Sequence, residues 1–175
     1  MAVKGVFDAG PLITACKSEV NGKAVIDYLA PVTPIAVAPS VQREVTAAGS
    51  RYPDAAVANA RIRAGKIAVE SPVPNPELAS VLALYGLGAG ECESVLLASH
   101  KATLDPTTAL VVDDVLAYVV CDRLKVNKLL FLDFLVALAQ EGLLSVADAR
   151  AIARAVQRRY PKGFVDHTLR MLAGR

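Results

Sequence analysis

Acidic residues follow the apolar runs of this chain. Asp8 comes directly after residues 3–7, Asp113 and Asp114 after 109–112, and Asp133 after 128–132. Glu44 lies shortly beyond the run 34–38, and Glu91 directly beyond the break Gly86-Leu-Gly-Ala-Gly90. A set of oxygen donors like this suits a hard divalent cation, Mg2+ or Mn2+. Without a cation, three or four packed carboxylates would repel one another and some of their pKa values would rise. With one, they gain what phosphodiester hydrolysis requires: an activated water and a partner for the charge on phosphate. Each acid also has a plainer reading as a cap, because acids at strand ends and helix starts complement the helix dipole. Glu93 points about 160° away from Glu91 on a helix of 3.6 residues per turn. One of those two therefore faces away from any shared site.

For such acids to meet, several strand ends must share one edge. Residues 3–7, 34–38, 67–69, 109–112 and 128–132 read as strands. Helical patterns lie between and after them: 12–17, 25–29, one capped by Ser40, 55–65, 77–85, 91–100, 116–124 and 134–141. Two more follow, 146–160 capped by Ser145 and a last one over 165–172. This alternation predicts an α/β fold, a mainly parallel sheet of about five strands with helices on both faces. The uninterrupted apolar runs 109–112 and 128–132 fit strands covered on both sides. In such sheets the ligand crevice lies at the carboxyl ends of the strands, where the strand order reverses.

Composition narrows the function classes. The 175 residues are the size of one domain, 1–175, with helices 146–172 packed on it. Only 21% are charged and mean hydropathy is +0.40, which excludes a disordered chain. The longest charge-free stretch, residues 28–42, has 15 residues and three prolines, too short and too broken to span a membrane. Asp8 interrupts what a signal peptide would need as its apolar region, so a cytoplasmic location is expected. Three scattered cysteines and two histidines exclude a zinc framework; Cys16, Cys92 and Cys121 read as small buried hydrophobes. No tryptophan and 5% aromatics argue against base-stacking platforms. The GLGAG stretch lies mid-chain after a helix, where no dinucleotide fingerprint belongs.

With the acids placed, the chain resembles the PIN domain family, in particular PIN-like predicted nucleic-acid-binding proteins related to toxin ribonucleases of the VapC type. The matching segments are VFDAGPLITACK (6–17), APSVQREV (38–45), LGAGECESVLLA (87–98), LVVDDVLAYVVCDRL (110–124) and the tail 135–172. The resemblance implies a three-layer α/β/α domain and a Mg2+- or Mn2+-dependent ribonuclease site. By it, Asp8 matches the first metal-binding acid, Glu44 the second, and Glu91 the acid opening the central helix. Asp113 or Asp114 matches the acid after the fourth strand.

Two departures stand out. The subgroup commonly carries an Arg or Lys shortly after the paired aspartates; here DDVLAY puts Tyr118 there, with Val115 and Leu116 replacing polar residues. LLFLDF (129–134) replaces a small polar turn and adds Asp133. Three functions therefore stand side by side: a metal-dependent endoribonuclease acting on RNA, a catalytically weak nucleic-acid-binding protein, or the toxin of a toxin–antitoxin pair. Helices 78–85 and 135–144 offer faces for a homodimer or an antitoxin-like partner. Lys17 and the stripe Arg150, Arg154 and Arg158, with Arg159 and Lys162 beside it, are candidate phosphate contacts, and equally a solvated surface.

Overall fold

The computed structural model describes residues 3–47 and 49–174. Five parallel strands form the central sheet: β1 (Lys4–Phe7), β4 (Ile35–Val37), β5 (Ala68–Val69), β6 (Thr108–Val111) and β7 (Lys128–Leu129). Their order is β5-β4-β1-β6-β7. From β1 the chain steps outward through β4 to β5, then returns to β6 on the other side of β1. The order thus reverses between β1 and β6, and the ends of those two strands carry Asp8 and Asp113.

Helices connect and cover the strands. α1 (Ala9–Lys17), the hairpin β2 (Glu19–Val20) with β3 (Lys23–Ala24), and α2 (Ile26–Leu29) lead to β4. α3 (Pro39–Thr46), a 3-10 turn (Gly49–Arg51) and α4 (Pro53–Arg63) lead to β5; α5 (Pro76–Ala83) and α6 (Ala89–Leu104) lead to β6. α7 (Val115–Arg123) joins β6 to β7. After β7 come α8 (Phe131–Gln140), α9 (Val146–Ala155), a 3-10 turn (Gln157–Arg159) and α10 (Lys162–Met171). This is the three-layer α/β/α arrangement. Among the described residues no helix is long and apolar enough to cross a membrane.

Two faces of β1 position the site. Phe7 turns to one, where the rings of Phe131 and Phe134 on α8 meet it edge-on at 6.4 and 5.3 Å. Gly5 makes room, since a Cβ there would sit 2.6 Å from the Phe7 ring. Burying each ring contributes about 2–3 kcal/mol. Asp8 turns to the opposite face, against α6.

Several expectations need correction. The run 128–132 is not one strand: β7 stops at Leu129, Leu130 caps α8, and Asp133 lies in the first turn of that helix. A short apolar run fits a buried helix as well as a strand. The face of 135–144 is core rather than a docking surface, with Leu135, Val136, Leu138, Ala139 and Leu144 buried. Helix 146–160 divides at Val156 into α9 and the 3-10 turn, so Arg158 leaves the stripe of Arg150 and Arg154. Ser40 does not cap α3; Ala38 occupies the N-cap position, without a side-chain cap, and Pro39 is the first helical residue. The Asn21-Gly22 pair, both at positive φ (51° and 73°), makes the two-residue turn of β2–β3, a signal readable in the sequence. The cysteines are largely as expected. Burial lifts the Cys16 and Cys121 thiols to about 12 and about 11, while Cys92 is half-buried.

Candidate functional site

Asp8 is fixed by the sheet and the helix on either side of it. Its N–H donates to the Val111 carbonyl at 3.0 Å, extending the β1–β6 ladder past the end of β1. Its carbonyl accepts the first bond of α1, from Leu12 N–H. The side chain, however, does not cap α1. It is buried, 7% exposed, and accepts a 3.2 Å bond from the Ser94 hydroxyl of α6. Burial raises its pKa to about 6; the nearby charges of Glu91 and Glu44 add to the rise, against the lowering by the Ala9 amide and Ser94.

The start of α6 brings in two more acids. Gly86, at φ +68°, turns the chain after α5. Gly88 N–H then donates to Glu91 Oε2 at 2.6 Å. A Cβ on Gly90 would lie 3.3 Å from Glu44 Oε2, so the Glu44 carboxylate of α3 rests over the first turn of α6. Glu93 faces elsewhere. Its Oε2 accepts both the Ser40 hydroxyl (2.6 Å) and the Ser40 N–H (3.0 Å), which joins α3 to α6 and holds the Glu93 carboxyl below its usual range.

Beyond β6, Asp113 is bonded at both oxygens. Oδ1 accepts the Phe131 N–H at the start of α8 (3.1 Å), and Oδ2 accepts the Tyr160 hydroxyl (2.5 Å). Burial raises its pKa, while those two bonds and the Arg159 charge lower it. Asp114 is exposed and caps α7 through the Ala117 N–H at 2.9 Å. Asp8, Glu44, Glu91, Asp113 and Asp114 all line one open cleft of about 720 Å3 at the carboxyl ends of β1 and β6. Both members of the aspartate pair therefore reach it. Asp133 is absent from its lining; that carboxyl lies near Asp113 and His167, and burial raises its pKa.

Two cations line the same cleft, Arg43 and Arg159. Neither lies beside the aspartate pair in sequence. Tyr118, where the resemblance expects a cation, takes Lys128 over its ring at 5.2 Å and does not line the cleft. Lys17 is the last residue of α1, about 12 Å along the helix axis from Ala9 at 1.5 Å per residue, and does not line it either. Ser94 and Tyr160, which hold Asp8 and Asp113, carried no signal in the sequence reading. A second depression of about 630 Å3, near the opposite ends of β6 and β7, contains the Asp122–Lys128 pair and no cluster of acids.

The donors are hard oxygens of the type Mg2+ and Mn2+ prefer. Among the described residues, no three Asp, Glu, His or Cys side chains stand close enough to share one metal ion. The set therefore fits a cation held by one or two carboxylates, with water and a substrate phosphate completing its shell. It does not fit a preassembled cage of three or more.

A family model described as a PIN domain matches residues 4–171. No curated protein and no solved structure matches the chain.

Proposed function

Since the chain belongs to the PIN domain family, we propose that it is a metal-dependent endoribonuclease acting at the carboxylate cleft. The observation that carries this reading is Asp8: a buried carboxylate that caps nothing, beside further acids, where the strand order reverses. Structural acids are normally paired or capping; this one is destabilised where it stands, and a bound cation would relieve it.

Asp8 and Glu91 would hold Mg2+ or Mn2+, with Asp113 and Asp114 across the cleft. When bound, the cation polarises a phosphate oxygen and lowers the pKa of water. The chain's own groups do the rest. Ser94 fixes the rotamer of Asp8 through Oδ1. Glu44, exposed over the start of α6, would orient an attacking water and take its proton. The Gly88–Gly90 backbone brings a helix N-terminus to the cleft, where its dipole favours a phosphate. Asp8 must be ionised to bind a cation, so activity rises with pH through about 6 wherever metal is limiting.

The test is cleavage of labelled single-stranded RNA in Mn2+, wild type beside Asp8→Asn. Metal-dependent cutting that the substitution removes supports the reading; equal rates defeat the site assignment. One observation favours a second reading, binding without turnover. Glu91, Asp113 and Asp114 already hold the backbone N–H groups of Gly88, Phe131 and Ala117. RNA retained but uncut in Mn2+ would support that alternative, and with it a regulatory or partner-held role.

A further inference from the structure

We infer that Arg159 receives a phosphate of the substrate in this cleft and that Tyr160 holds it in place. This rests on the nucleic-acid reading above. Among the described residues five carboxylates and two guanidiniums line the cleft, so an approaching phosphodiester meets a surplus of negative charge. One divalent cation offsets only part of it, and the protein must supply the remaining attraction. Arg43 stands 3.9 Å from Glu93, on the α3 side. Arg159 is exposed and, among the described residues, has no carboxylate within ion-pair distance. It lines the cleft together with Asp113 and Asp114, and its charge acts to lower the pKa of the Asp113 carboxyl.

The backbone around Arg159 is held on both sides. The 3-10 turn Gln157–Arg159 ends at Tyr160, which is extended (φ −122°, ψ 146°). Pro161 follows, and a residue before proline is confined to that region. The Tyr160 hydroxyl donates to Asp113. Its ring lies parallel to Phe131, 6.4 Å between centroids and 4° between planes. Phe131 in turn donates its N–H to the same aspartate. An exposed arginine one residue from so fixed an anchor reaches a small volume of the cleft. Its planar fork of donors matches phosphate oxygens. Arg158, its neighbour and also exposed, does not line the cleft and serves as the internal control.

The experiment is fluorescence anisotropy of a labelled 12-nucleotide single-stranded RNA over a salt series. Ca2+ takes the place of Mn2+ as the oxygen-seeking cation. Arg159→Gln is expected to weaken binding about tenfold at low salt and to flatten the log–log salt dependence by about 0.7, one phosphate contact on a single strand. Arg159→Lys keeps the slope and loses part of the affinity. Tyr160→Phe, which retains the ring stack, weakens binding less than Arg159→Gln does. Arg158→Gln leaves binding and slope within twofold of wild type. Wild-type binding with the same affinity and slope in Arg159→Gln overturns this inference alone. Equal losses in Arg158→Gln and Arg159→Gln also overturn it, pointing to a diffuse basic surface. No RNA binding by the wild type overturns the nucleic-acid reading and this inference with it.

Discussion

Asp8 and Asp27 are the same side chain, each largely hidden from water, in opposite electrostatic settings. Asp27, on α2, is clasped by Arg61 of α4 through Nε at 2.6 Å and Nη2 at 2.5 Å, with Lys66 3.7 Å away. That fork holds its carboxyl below the usual range, against the opposing effect of burial. Asp8 has a serine hydroxyl and two acids nearby, and its pKa rises to about 6. Burial alone does not decide what a carboxylate does; its partner does. The paired acid joins two helices. The other, without such a partner, sits at the carboxyl ends of the strands, where the strand order reverses. On the proposed reading, this is the kind of position at which a folded chain departs from the rule of satisfied groups.

The widest separation between the two acids should appear in activity. Asp8→Asn is expected to reduce metal-dependent RNA cleavage by about a thousandfold or more, several kcal/mol of transition-state stabilisation. Asp27→Asn should leave the rate within a few-fold, measured on the same RNA. A comparable loss in both variants would erase the distinction.

Stability should separate them in the reverse sense. Arg61→Met strands Asp27 and should cost about 2 kcal/mol at pH 7, below the value for a fully buried pair because Arg61 is 27% exposed. The folded pKa of Asp27 lies below its unfolded one, so the pair's contribution is present above the unfolded pKa. It is lost as pH falls through the folded value. Urea midpoints of wild type and variant should therefore differ at pH 7 and draw together as the pH is lowered through the acid range.

Asp8 carries the opposite sign. Its folded pKa lies above its unfolded one, so the native state binds the proton more tightly between pH 3.8 and about 6. The stability this gives is present below the unfolded value and lost as pH rises through about 6. An amide removes the penalty: Asp8→Asn should gain about 1–2 kcal/mol at pH 8 in EDTA, and nothing at pH 3.5. Thermal melts with Mn2+ added should raise the wild-type Tm and leave the variant where it was. A variant less stable than wild type at pH 8 would contradict the burial account.

The smallest effect concerns an acid that points out of the cleft. Ser40→Ala removes one of the two bonds to Glu93 Oε2 and should cost about 1 kcal/mol by chemical denaturation. Cleavage should change by no more than a few-fold, through Glu44 on the same helix. A loss as deep as that of Asp8→Asn would make Glu93 part of the site.

The sheet was legible because continuous apolar runs need cover on both faces, and strand-end acids can be seen in local sequence. Asp8, Glu44, Glu91, Asp113 and Asp114 meet at one cleft for that reason. What stayed hidden depends on contacts between distant segments. Asp133 read as a strand-end acid because residues 128–132 are apolar throughout, and an apolar run does not say where a strand becomes a helix. Lys17 looked close along the chain, but a helix carries its last residue away from its first. Arg159 was visible only as one of several basic residues. Nothing local says that its neighbour Tyr160 bonds to Asp113, 47 residues earlier.

That bond has a consequence for the order in which the protein is made. Asp113 emerges with both oxygens unclaimed; Phe131 follows after 18 residues and Tyr160 only after 47. At roughly 5–20 residues per second, the wait is roughly 2–10 s. During that time the chain already holds Asp8, Glu44 and Glu91, while the Arg159 side of the cleft has yet to be synthesised. On the proposed reading, a cleft able to cut RNA is therefore complete only once Tyr160 has been made.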